Sequence, residues 1–342
     1  MSDFFRELIK EMRDEDTSMA ADGTGSAEFG GFIDTGSYAL NAVLSGSLYG
    51  GVPDNKVTAF AGESATGKTY FVLGVVRSFL EKHPTGGVVY YDTEAAITKA
   101  MMEERGIDTS RVIIAEPDTI QKFKTHALKL IDAYDMKPEK DRPPMMFVLD
   151  SLGMLSTSKE MEDSLEGKDT RDMTKAQIIK AAFRVLTLKL AKVKIPLLVT
   201  NHVYELVGSY VPTKELGGGT GLKYAASTIA MLSKRKEKDG TDVVGNIVKI
   251  KMYKSRLSKE NSQIEVLLTY AKGLDRYYGL LDLAEKYKIF KKVSTRYQLP
   301  DGTSCFGKNI NEEPEKYYTP QVMELLEKAV QQEFKYGVSE NE

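Results

Sequence analysis

From Lys56 onward the chain alternates short apolar runs with stretches in which apolar residues return every three to four positions. The runs VTAFA (Val57 to Ala61), VVYYD (Val88 to Asp92), RVII (Arg111 to Ile114), MMFVLD (Met145 to Asp150) and IPLLVTN (Ile195 to Asn201) lack polar alternation. Strands of that kind are buried on both faces, so they predict a parallel sheet covered by helices on either side. The clearest helix is predicted from about Met173 to Val193. There Ile178, Ala182, Val185, Leu186, Lys189, Leu190 and Val193 take the spacing of one apolar face, with the lysine stem on its rim. After Ser227 the pattern becomes that of strands. STIAMLSKR, the turn KDGT, NIVKIKMYK and IEVLLTY predict antiparallel pairing added at the edge of the parallel core. Residues 3 to 13 predict a short amphipathic helix, and the Gly/Ser/Ala/Asp-rich stretch Thr17 to Ser26 reads as a flexible connector. From Gly273 a helix-rich tail carries its own strand signal, KKVSTRYQL. The expected class is α/β: a small N-terminal arm (1–34), a core with a mainly parallel sheet and an antiparallel extension (35–272), and a small C-terminal α/β lobe (273–342).

Composition narrows the class without naming a function. The 342 residues amount to a little over two domains at about 150 residues each, and no repeat or low-complexity tract divides them. With 42% hydrophobic and 28% charged residues the chain is expected to fold rather than stay disordered. The longest apolar runs fall far short of the roughly 20 residues that span a bilayer, so no membrane partner is expected. The N-terminus mixes charges of both signs and has no apolar signal region. The lone Cys305 suits a reducing, cytoplasmic setting. The 47 basic and 49 acidic residues leave a net charge of −2, so any surface for nucleic acid has to be local.

The strongest chemical signal is GESATGKT, Gly62 to Thr69, between the strand-like KVTAFA and the helical TYFVLGVVRSFLEK. It matches G-x-x-x-x-G-K-[ST] in the strand-loop-helix context that makes the match specific. Gly62, Glu63, Ser64, Ala65, Thr66 and Gly67 are expected to turn backbone N–H groups onto phosphate, helped by the helix N-terminus. Lys68 is then placed to reach the β- and γ-phosphates, and the Thr69 hydroxyl to coordinate Mg²⁺. An acid at the end of a neighbouring strand has to hold the hydrated metal. Asp150 closes MMFVLD and is assigned that role, through water. Hydrolysis also needs a base for water. Glu94 stands two residues past the strand end at Asp92, on the carboxyl edge where ligands of α/β sheets sit, and is the expected base. Asp92 itself is read either as a cap of the turn or as a site group. Asn201 and His202 fall on the same edge, and His202 is read as a phosphate sensor.

These segments, joined in order by TGSYALNAVLSG, YYDTEAAIT, LDSLGMLSTSKEMEDS, IPLLVTNHVYE, GGGTGLKYAAS, MYKSR and YYGLLDLA, resemble the RecA-type strand-exchange recombinases. The likeness runs from about Thr35 to Tyr287 and is greatest to members from T-even-like phages. It implies a RecA-like P-loop ATPase core that binds ATP and Mg²⁺, hydrolyses ATP in a DNA-dependent way and assembles into a helical homo-oligomer. It implies single-stranded DNA and homologous duplex as partners in recombination, repair and recombination-dependent replication, together with a single-strand-binding protein and a loader. Where the family places a tyrosine near the adenine this chain has Met101, whose thioether can cover a base face.

By the same resemblance two loops line the filament axis, about Ser156 to Arg171 and about Val203 to Thr220. Lys159, Lys168 and Arg171 in the first, and Tyr204, Tyr210, Lys214, Gly217, Gly218 and Gly219 in the second, are the expected DNA-binding residues. Cations for phosphates and aromatic rings for bases are the ingredients of sequence-tolerant single-strand binding. Lys254 and Arg256, two apart on one predicted strand and so on one face, are expected to act on the nucleotide of a neighbouring copy. The phosphate chemistry alone would also serve a hexameric replicative helicase, or an ATP-binding DNA mediator without turnover.

Overall fold

The five apolar runs form the parallel half of one ten-stranded sheet. This computed structural model describes residues 2–12, 17–23, 25–28, 30–168, 172–205 and 214–338. Helix α1 (Ser2–Met12) opens the chain, and a two-strand ribbon of β1 (Phe32–Ile33) and β2 (Val52–Pro53) brackets α2 (Tyr38–Ser45). The core then alternates β3 (Val57–Gly62), α3 (Lys68–Lys82), β4 (Gly87–Asp92), α4 (Lys99–Glu103), β5 (Val112–Ala115), α5 (Ile120–Asp135) and β6 (Met145–Asp150). It continues with α6 (Ser158–Leu165), α7 (Lys175–Lys192), β7 (Leu197–Glu205), the short β8 (Lys214–Leu216) and α8 (Gly221–Ala225). Strands β9 (Thr228–Asp239), β10 (Asp242–Ser255), β11 (Gln263–Thr269) and β12 (Gly273–Leu274) complete the sheet.

Across the sheet the order is β12-β11-β10-β9-β3-β7-β6-β4-β5. Neighbours from β9 through β5 run parallel, and β9 to β12 pair antiparallel, so β9 joins the two halves. Register then fixes which side chains share an edge. Gly62 lies opposite His202, and Asp92 opposite Asp150, so the carboxyl ends of β3, β7, β6 and β4 finish level with one another.

Two apolar layers hold the sheet. Phe60, Phe71, Val75, Phe79, Tyr90 and Val148 pack on the α3 face. Phe123, Ile131, Phe147, Leu149, Ile179, Phe183 and Leu186 pack on the α5 and α7 face. Helix α7 lies where its period predicts, but its buried seam is Ile179, Ala182, Phe183, Leu186 and Leu190, while Ile178 is only half-buried and Val185 is 37% exposed. Ala182, Leu186, Leu190 and Val193 of the expected face are buried, and the face is turned only so far that Ile179 and Phe183 take the places expected of Ile178 and Val185. At about 100° per residue these positions lie on either border of the same stripe, so periodicity alone could not choose between them. The run at β5 also departs from expectation. As an edge strand it leaves Ile113 and Ile114 57% and 44% exposed instead of buried on both faces.

The tail consists of α9 (Leu280–Lys286), a three-stranded sheet of β13 (Lys291–Val293), β14 (Arg296–Gln298) and β15 (Ser304–Phe306), then α10 (Gly307–Glu312), α11 (Pro314–Tyr317) and α12 (Pro320–Phe334). Thr319 caps α12 and Pro320 opens it, the preferred order at a helix start. Phe290, Leu326, Val330 and Phe334 extend the core layer on the α3 face. Glu327 Oε2 accepts the Leu48 amide at 2.8 Å, which ties the tail to the end of α2.

Arg276 clasps the start of the core to the end of the sheet. Its Nη1 donates to both oxygens of Asp34, at 2.7 and 2.6 Å, and its guanidinium sits 3.9 Å from the centre of the Tyr38 ring. Burial pushes the Asp34 carboxyl up, but Asn41, Gly36 and Arg276 together hold it below the usual carboxylate range. A lowered folded-state value means the clasp stabilises fully above the ordinary carboxylate range and fades as pH falls through the folded value. Arg276→Ala is expected to cost about 1–2 kcal/mol at neutral pH, after allowance for partial exposure. In urea unfolding the gap to the parent protein should narrow on acidification; a gap independent of pH would contradict this account.

Candidate active site

The loop after β3 takes its shape from residues with little steric freedom. A Cβ on Gly62 would come within 2.7 Å of Thr66 Oγ1 and 2.8 Å of the Leu232 carbonyl, so only glycine fits there. Gly67 caps α3 at φ 90°, in the left-handed region that glycine enters without strain. Thr66 Oγ1 donates to the Glu63 carbonyl at 2.9 Å and closes the turn. Lys68 is buried, and its Nζ donates to the carbonyls of Gly62 at 3.1 Å and Glu63 at 2.8 Å, so its ammonium rests over the loop where a phosphate would sit. Burial pushes the Lys68 ammonium down in pKa, against the pull of Glu94 and Asp150.

Asp150 is brought to this loop by the level strand ends. Thr69 Oγ1 donates to its Oδ2 at 2.7 Å, Tyr90 Oη donates to the same oxygen at 2.7 Å, and Thr200 Oγ1 donates to Oδ1. Tyr90 and Thr200 were not anticipated from the sequence. Their signal was a polar group inside an otherwise apolar run. Burial and the neighbouring Asp150 charge push the Tyr90 hydroxyl well above its ordinary pKa, so it stays a donor. The hydroxyl and carboxylate of Thr69 and Asp150 are hard oxygen donors, the kind Mg²⁺ takes alongside substrate phosphates. Among the described residues no group of three acidic, His or Cys side chains forms a metal cage of its own.

Glu94 faces the same space. Ser151 Oγ donates to its Oε1 at 2.7 Å, and His202 Nε2 lies 3.1 Å from that oxygen. Ser151 is in turn fixed by Thr93, whose hydroxyl accepts the Ser151 amide at 2.8 Å and donates to the Ser151 carbonyl at 2.7 Å. Burial pushes the Glu94 carboxyl up, but Ser151, His202 and Lys68 outweigh it and hold it below the usual range. It is therefore a carboxylate at neutral pH, with Oε2 free of protein donors among the described residues. Asp92 accepts the amides of Glu94 at 3.0 Å and Ile97 at 2.9 Å, and so caps the turn that presents Glu94.

His202 connects this edge to the expected second DNA loop. Its carbonyl accepts the Gly217 amide at 2.9 Å, and Asn201 Nδ2 donates to the Gly217 carbonyl at 2.8 Å. The loop is shorter than expected, since β7 continues to Glu205 and pairs with β8 from Lys214 to Leu216. Tyr204 is 58% exposed beside Gly217, Gly218 and Gly219. Tyr210 lies outside the described residues.

The expected first loop is also partly regular. Thr157 and Glu160 form a capping box that starts α6, so Ser158–Leu165 is helix. Lys159 is exposed on it, Lys168 pairs with Glu166, and Arg171 lies outside the described residues. Between the two segments opens a cavity of about 390 Å³ lined by Glu160, Asp172, Met173, Lys175, Tyr204 and Gly217 to Gly219. Asp172 was not anticipated. The hydroxyls of Thr174 and Thr157 pull its carboxyl down to about 2, and its 2.7 Å bond to Thr157 joins the two ends of the segment.

Lys254 and Arg256, expected to act on the nucleotide of a neighbouring copy, lie away from the loop of their own chain. They stand two strands away from β3, Lys254 level with Ala59 and Arg256 with Val57, about 10 and 17 Å along the strands from Gly62. A register shift precedes Lys254, and Arg256 falls beyond the last residue of β10, so the simple same-face expectation does not hold. Lys254 Nζ donates to the Lys223 carbonyl at 2.6 Å. Met101 is half-buried on α4 and packs against the core.

Comparison with known proteins agrees with this arrangement. A family profile described as the RecA N-terminal domain matches residues 16–275. The recombination and repair protein of Enterobacteria phage T4 is 35% identical over 245 residues, which cover 72% of this chain and 61% of that protein. The match thus spans less than two thirds of the phage protein's length. Protein RecA of Malacoplasma penetrans is 27% identical over 288 residues, covering 81% of this chain and 84% of that one. A crystal structure of the RadB recombinase superposes with a TM-score of 0.51 at 20% identity, over 72% of this chain and 99% of that chain, a likeness of fold. With the profile covering most of its length, this chain belongs to the RecA family, whose recombinases are ATPases that bind DNA and self-assemble.

Proposed function

We propose that the protein is an ATP-dependent strand-exchange recombinase, which polymerises on single-stranded DNA and pairs it with homologous duplex. The observation that supports this most is the unbroken connection from Glu94 through His202 to Gly217, which joins the phosphate edge to the expected DNA-facing segment. Lys68 binds and orients the terminal phosphates, and Glu94 Oε2 takes a proton from the attacking water. Thr69 and Asp150 would hold Mg²⁺, which neutralises phosphate charge when bound. Lys254 and Arg256 lie too far from their own loop to serve it, so they act on the nucleotide of an adjacent copy. His202 reports the state of that site to Gly217, and ATP and DNA strengthen each other's binding by linkage.

Helix α1 fits an oligomerisation arm, because Phe4, Phe5 and Met12 expose more than half of their surface while the carbonyls of Ala27 and Phe32 are held to their own core by Lys56 and Lys82. A single-strand-binding protein and a loader are expected partners in the host cytoplasm.

Phosphate release measured with and without single-stranded DNA, with negative-stain images of the same samples, tests the reading. DNA-stimulated turnover on helical filaments supports it; closed rings, or no turnover, would refute it. At the DNA segments, Tyr204→Ala is expected to weaken single-strand binding about tenfold through lost stacking. Lys159→Ala should lower the salt slope of binding by about 0.7. Unchanged affinity and slope in both variants would remove these residues from the interface.

A further inference from the structure

The phosphate loop has two sides. In the sheet order the groups that meet the far end of a triphosphate, His202, Asp150 and Glu94, belong to β7, β6 and the turn after β4, all on one side of β3. A nucleotide whose terminal phosphate points that way sends its sugar and base the other way, past the first turn of α3 and toward the turn between β11 and β12. That side carries an arrangement with no part in the phosphate chemistry. Tyr70 directly follows Thr69 and is half-buried. The Arg105 guanidinium lies 5.0 Å from the centre of its ring, held there by a 2.8 Å bond from Nη1 to the Met101 carbonyl. The Tyr70 hydroxyl lies against Gly273, where an added Cβ would stand 1.8 Å from it, and Leu268 packs on Gly67.

We propose that Tyr70, backed on one face by Arg105 and steadied at its hydroxyl by Gly273, is the stacking platform for the purine base of the bound nucleotide. The inference rests on the reading of Gly62 to Thr69 as a triphosphate site. It adds to the half-buried Met101 an aromatic ring on the phosphate-binding helix itself. A ring fixed by a cation behind it and a glycine turn beyond it has little freedom to lose on binding, which favours stacking.

The test is equilibrium binding of ATP and of inorganic tripolyphosphate, each with Mg²⁺, to the full chain. Tyr70→Ala should weaken ATP about tenfold, as loss of one stacked base does, and leave tripolyphosphate affinity in place. Tyr70→Phe, which keeps the ring, should restore ATP affinity to within about twofold of the parent. Equal weakening of both ligands in Tyr70→Ala, or no weakening of ATP, would overturn the platform. If the parent chain binds neither ligand, the triphosphate reading falls first and takes the platform with it.

Discussion

Glu94→Gln is expected to lower DNA-stimulated ATP turnover by about a thousandfold, within the range removed with a general base. The substitution is a sharp probe because the amide oxygen can still accept from Ser151 and His202, so the shape of the site survives while the proton acceptor is lost. Nucleotide binding, carried by the loop and Lys68, should persist. The parent enzyme's pH profile is set by the same contacts. A base works when deprotonated, and Glu94 is held below the usual carboxylate range, so the acid limb due to this group should lie below that range. Its contribution to stability has the same sign: present above the unfolded value and lost as pH falls through the folded one. Turnover in Glu94→Gln within a few-fold of the parent would show that another group activates water.

The second large effect concerns Lys254 and Arg256. Replacing both by alanine should reduce turnover by about a thousandfold or more, the scale of a missing cation at a transferring phosphate, while ATP binding to the monomer is spared. The decisive measurement mixes this double variant with Glu94→Gln. Each alone is expected to retain about a thousandth of the parent's turnover. In a mixed head-to-tail polymer about a quarter of the interfaces would pair an intact Glu94 with intact cations, so activity should return. No recovery in polymers shown to contain both chains would mean that the cations do not act across the interface.

Part of this site was legible because it is local. The eight residues from Gly62 to Thr69 are contiguous, and the strand before and helix after them were visible as a change of period. Glu94 and Asp150 could be placed on one edge because a strand that ends in a polar residue ends at a sheet edge, and the order of apolar runs implied a common direction. The DNA-facing segments were less legible. Their charge and glycine content suggested open loops, yet Thr157 and Glu160 make a capping box, and β7 finds a partner in β8. The capping box was local and present in the sequence as Thr157-Ser158-Lys159-Glu160, whereas the pairing of β7 with β8 is seen only once the two segments are brought side by side.

What the sequence determined by itself is the class of sheet and the strand-loop-helix motif from Gly62 to Thr69, which depend on short-range pattern, and the family, which depends on the order of such segments. The tertiary structure alone decided that Asp150 takes hydroxyls from Thr69, Tyr90 and Thr200, that Ser151 and His202 share one oxygen of Glu94, and that Lys254 and Arg256 stand two strands away from β3. It also put Ile179 and Phe183, not Ile178 and Val185, at the border of the face that α7 buries. The reason is common to all four. Each depends on strand order and register, which bring together residues 50 to more than 100 positions apart, and a period read along the chain carries no record of which strand will lie beside which.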